Sequence, residues 1–185
     1  WSSDVCSSDL AALYHDNFTP AERFTPDADT IALYHCDEGS GDVLKDSSGT
    51  NHHGKIVGAK WVPTTVSRPA SNADYALDLG TTSDGLLPQV FLPGNLVRGQ
   101  PCTVELTAMA RTIAAPTMNR GLWGFNPWLS LKQYEDSWNF VATNYNATEQ
   151  SQFQYVAKNG SVQLNQRSRL AAVFTGDELL LFVEG

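Results

Sequence analysis

Basic residues are scarce: 12 Lys and Arg stand against 20 Asp and Glu in 185 residues, a formal net charge of −8. Holding a nucleic-acid backbone requires clustered cations, and these are scattered, so no nucleic-acid partner is expected. No run of 18 apolar residues occurs, which excludes an apolar spanning helix. Long Ala/Glu/Lys/Leu stretches are missing as well, and no amphipathic pattern persists for ten residues. Helices are therefore not expected. Cysteine is sparse at three, without a Cys-x-x-Cys spacing, which argues against both a disulfide framework and a zinc site.

One of those cysteines belongs to a segment best set aside. Residues 1–10 (WSSDVCSSDL) read as one frame of a common short-read sequencing adapter, and are excluded from fold reasoning as a fusion scar would be. Residues 11–29, with Pro20, Pro26 and an acidic end, read as a linker or the tail of a preceding domain. That leaves Cys36 and Cys102, which either pair or serve as small buried apolar residues; the second is favoured.

What the sequence does contain is strand pattern. Residues 30–36 form a short, nearly continuous apolar run, suited to a strand covered on both faces. A loop rich in turn formers follows (DEGSGDVLKDSSGTN, 37–51). Short strands are expected at 54–57, 73–79 and 89–92. Residues 103–110 alternate, placing Val104, Leu106, Ala108 and Ala110 inward and Thr103, Glu105 and Thr107 towards solvent or a ligand. Further strands are expected at 138–143 and 153–157. Asn159-Gly160 should close a tight hairpin onto 162–165. A last hairpin joins 169–174 to 179–183, and the end at Gly185 falls inside this pattern, as the edge of a fragment would. Many short strands at regular spacing predict an all-β, antiparallel two-sheet sandwich over residues 30–185.

Three stretches carry a family resemblance. ALYHCDEGSGDVLKDSSGTNHHGKIVGAKWV (32–62), CTVELTAMAR (102–111) and RSRLAAVFTGDELLLFVEG (167–185) resemble, in order, segments of bacterial laminin-G-like domains of the concanavalin-A-like superfamily. Cys36 and Cys102 stand where that family usually has Phe, and Phe182 and Glu184 replace its usual Tyr and Asp or Asn. The resemblance implies a jelly roll, here lacking its last strands, within a larger secreted or cell-surface bacterial protein. It implies no catalysis, but a binding or adhesion role towards a glycan or protein, beside other domains of the same polypeptide. An accessory structural domain attached to a catalytic unit is the alternative, and a sandwich-fold glycoside hydrolase a more remote one.

Calcium is common in such domains, held by carboxylate and carbonyl oxygens on loops. Asp37, Asp42 and Asp46 are the candidate ligands, although Asp46 is also an ordinary turn former. His52-His53 lacks a third ligand at useful spacing and reads as a solvated turn pair. A retaining glycosidase needs two carboxylates about 5 Å apart, visible as acids at alternate strand positions, and none are so placed. Sugar rings stack on exposed aromatics, for which Trp128, Trp123 and Tyr134 are the candidates. Trp138, alternating with Phe140, reads instead as core.

Overall fold

The computed structural model describes residues 5–7, 23–64, 75–80, 88–93, 96, 101–113, 119–125, 129–146 and 151–184. Among these the protein is all-β, with no helix. Its first strands are β1 (Val5–Ser7), β2 (Ala32–Tyr34), β3 (Val43–Leu44), β4 (Gly54–Val57), β5 (Lys60–Pro63), β6 (Tyr75–Asp78) and β7 (Gln89–Phe91). Longer strands follow: β8 (Cys102–Met109), β9 (Asn119–Phe125), β10 (Leu129–Tyr134), β11 (Ser137–Asn146), β12 (Ser151–Ser161), β13 (Arg167–Phe174) and β14 (Leu179–Glu184). They pair antiparallel in four sheets, ordered β14-β13-β8-β1-β2, β12-β11-β10-β9, β3-β4-β7 and β5-β6.

One core takes side chains from all four sheets. Tyr34, Leu106 and Leu170 come from the five-stranded sheet, Phe140 and Trp138 from the four-stranded sheet, Ile56 and Leu77 from the two small ones. The five- and four-stranded sheets touch along β12 and β14, where Asn159 Nδ2 donates to the Leu181 carbonyl at 2.6 Å. That bond engages one main-chain carbonyl of β14, the end strand of its sheet among the described residues.

Two expectations change. Asn159-Gly160 is not a hairpin turn: β12 runs straight through it, and the register jumps between Ser137↔Ser161 and Trp138↔Asn159. Gly160 is the extra residue of a β-bulge, at φ 62°, a left-handed conformation that glycine adopts without a Cβ penalty. The Asn-Gly signal for positive φ is real, but it serves a bulge, and the tight turn falls instead at Glu135-Asp136, with Glu135 at φ 50°. Thr103 and Glu105 do not face solvent; both are buried, because β8 is an interior strand flanked by β1 and β13 with both faces covered. Residues 5–7, set aside above, form a strand between β2 and β8, with Cys6 aligned to Leu33 and to Glu105.

Cys36 and Cys102 are both buried and unbridged, as favoured above. Burial pushes the Cys102 thiol up to about 12, so it stays protonated and behaves as a small apolar core residue.

Packing is tight under the three-stranded sheet. A Cβ on Gly54 would stand 2.9 Å from both Leu92 Cδ2 and Val90 Cγ1. Leu92 can turn aside, whereas β-branched Val90 is stiff at χ1. Gly54→Ala is expected to cost about 1–2 kcal/mol through overpacking, read as a lower urea midpoint at unchanged slope.

Candidate functional site

Strand periodicity divides the residues of the three-stranded sheet cleanly. Leu44, Gly54, Ile56 and Val90 turn to the core, and the intervening residues turn out. The register sets Val43, Lys55 and Phe91 in one cross-strand row, with Val57 and Gln89 in the next. All five are exposed. Phe91 keeps 54% of its surface, Val43 46% and Val57 37%, and these are three of the seven large hydrophobics exposed among the described residues. Isolated exposed apolar residues are ordinary; three gathered on one small face are a candidate contact surface.

Lys55 lies between Val43 and Phe91 on this face. No carboxylate shares the five positions, and among the described residues no ion pair or hydrogen bond engages the Lys55 side chain. The face therefore offers an aromatic ring, an ammonium group and the Gln89 amide within neighbouring cross-strand positions, roughly 5–7 Å apart. Its surroundings are held firmly. Trp61 Nε1 donates to the Gly41 carbonyl at 2.9 Å, and the Ile56 amide to the Asp42 carbonyl at 2.7 Å, fixing the loop that leads into β3.

The loop chosen for calcium does something else. Asp46 Oδ1 accepts from the amides of Leu33 and Ser48, each at 2.9 Å. Its Oδ2 accepts from the His52 amide and Ser48 Oγ, each at 2.8 Å, with Thr50 Oγ1 at 2.9 Å. Burial alone would raise the Asp46 pKa, but the amides of Leu33, Ser48 and His52 and the Ser48 hydroxyl outweigh it and hold the carboxyl far below its usual range. Asp37 is paired with Arg23 at 2.8 Å. Asp42 lends its carbonyl to Ile56. Among the described residues no three His, Cys, Asp or Glu side chains gather as metal ligands. Asp46 is thus engaged by its own turn and Asp37 by a guanidinium.

The two histidines belong to the same turn. His53 Nδ1 accepts from the Asp46 amide at 3.0 Å, and His52 Nδ1 sits 2.7 Å from Thr50 Oγ1 and 3.0 Å from the Ile31 carbonyl. DSSGTNHH is thus a staple that fastens the loop to β2, completed by the Ser47 amide on the Leu33 carbonyl.

Of the aromatic candidates, Trp128 lies outside the described residues. Trp123 is on β9, aligned with Leu131. Tyr134 ends β10 at the Glu135-Asp136 turn and is 38% exposed. The structure thus places Tyr134 on the four-stranded sheet, apart in topology from the Phe91 face. Lys55 and Phe91 went unremarked in the sequence because 54–57 and 89–91 show only a brief alternation. Which residues face each other depends on the pairing of β4 with β7, 35 residues downstream.

Comparison with known proteins returns no match, whether to a family model, to a curated protein or to a solved structure.

Proposed function

We propose that this chain is a non-catalytic binding module that holds a glycan on the Phe91–Lys55–Gln89 face of its three-stranded sheet. The module would be a two-layer laminin-G-like jelly roll, a reading supported by the single shared core and by the β12–β14 contact. It would serve as an adhesive or accessory unit of a secreted or cell-surface bacterial protein. The observation that carries the functional reading is the solvent-exposed Phe91, with Lys55 and Gln89 as its polar neighbours on the same face. A sugar presents C–H faces to such a ring and hydroxyls to its rim. A protein partner is less well matched, since stable interfaces engage about 20–30 residues a side and this face offers five.

The acids support the absence of catalysis. Within the described strands they are Asp78, Glu105 and Glu184, on three different strands. Glu105 aligns with Ala171 and Glu184 with Arg169, so the two glutamates are separated by two strand spacings and two residues along the strand. Glu105 is buried and Glu184 sits 3.9 Å from Arg169, so the two do not form a water-accessible acid–base pair.

Screening the chain against immobilised polysaccharides tests the proposal. Phe91→Ala should fold as the parent does and weaken binding about tenfold or more, the scale of losing one aromatic contact. Retained affinity in that variant places the ligand elsewhere, and a parent that binds no polysaccharide ends the glycan reading.

A further inference from the structure

We infer that the same face selects acidic sugars, Lys55 holding the carboxylate of a uronate ring stacked on Phe91. This rests on the glycan reading above and adds the charge class of the ligand.

The argument starts from register. Lys55 is aligned directly with Phe91 on one side and Val43 on the other, so its side chain and the phenyl ring rise from neighbouring positions of one face. All three are exposed. The chain is acidic overall, yet no carboxylate shares these outward positions, and Asp37, Asp78 and Glu184 are engaged by Arg23, Arg111 and Arg169 elsewhere. A cation flanked by apolar side chains is less screened by water than one on an open polar surface, which strengthens its attraction for an anion. The acidic remainder of the chain repels polyanions, so a polyanion is held where a local cation outweighs that field.

An acidic peptide supplies the same charge but not the same shape. In the middle of the sheet β4 is already paired with β3 on one side and β7 on the other, so a ligand lying over Lys55 is recognised by side chains. A rigid ring bearing a carboxylate can use Phe91, Lys55 and Gln89 at once, whereas the main chain of a peptide would be drawn to the outer edge of β3 or β7.

The test compares full-chain protein and its Lys55→Gln variant by affinity electrophoresis in polygalacturonate, its fully methyl-esterified form, and poly-glutamate. The expected result is retention by polygalacturonate about tenfold or more stronger than by the neutral ester, the scale of one charge-assisted contact. Lys55→Gln should abolish that difference, bringing retention by polygalacturonate down to that by the ester, and added salt should weaken only the acidic interaction. Equal retention by both polymers overturns the charge selectivity and leaves glycan binding standing. Equal retention by poly-glutamate overturns the sugar class. No retention by either polysaccharide overturns the underlying reading as well. Far-ultraviolet circular dichroism of the variant verifies that Lys55→Gln is folded.

Discussion

Asp46→Ala is expected to destabilise the protein by about 3 kcal/mol, the cost of leaving several main-chain donors unpaired at once. In a chain of this length that corresponds to a melting temperature lower by roughly 6–12 °C. The amides of Leu33 and His52 both end on this carboxylate, one from β2 and one from the far side of the loop. Removing it unfastens 46–52 from a strand that contributes Ala32 and Tyr34 to the core. Tyr34 is tied to the same turn, its hydroxyl donating to the His52 carbonyl at 2.5 Å. Burial, and then the charge of Asp46, push that phenol well above its ordinary pKa, so it remains a donor.

Asp46→Asn tests the charge rather than the shape, because its amide nitrogen would confront donors that the carboxylate accepts. The folded carboxyl lies below its unfolded value of about 3.9, so its stabilisation is fully present above that pH. It is lost as pH falls through the folded value. Melting curves from pH 7 down to pH 2 should therefore show the gap between the parent and Asp46→Asn widest near neutrality and narrowing below about pH 4. A gap that stays constant through the acid range would mean that the charge contributes nothing.

How legible this was follows from where each signal resides. Strands set by local alternation or by an apolar run were readable: 54–57 coincides with β4, and the expected 169–174 and 179–183 lie within β13 and β14. Trp138 and Phe140 are core as their spacing suggested. β9 and β10 were not anticipated, since GLWGF and LSLKQY mix glycine, lysine and glutamine into strands, and the apolar alternation that marks a strand is interrupted in both, although each pairs with the strand next to it in sequence. Asp46 was noticed as a turn former, and the donors of Leu33, Ser48, Thr50 and His52 all end on its carboxylate. Spacing counts carboxylates but does not reveal which donors have already claimed them. The Phe91–Lys55 row is a product of tertiary pairing and has no signature in either strand alone.

Trp138→Ala should cost about 3–5 kcal/mol, the range for deleting a large aromatic from a packed core. Trp138 is fully buried on β11, aligned with Gln133 on β10 and Asn159 on β12, and is the largest of the fully buried side chains. Its indole Nε1 nevertheless has no hydrogen-bond partner among the described residues, and neither has Gln133 Oε1. Gln133 spends its amide nitrogen on the carbonyls of Thr112 and Glu135, at 3.2 and 3.1 Å, which fixes the side chain without satisfying its oxygen. The ring is thus stabilising by volume and apolar contact, while its N–H is a standing penalty. Trp138→Phe removes that penalty along with part of the ring and should cost less than about 2 kcal/mol. Urea titrations of both variants separate the two contributions. A phenylalanine variant as unstable as the alanine one would show that the indole N–H is satisfied in solution and that its bond, rather than the packing of the ring, holds this part of the core together.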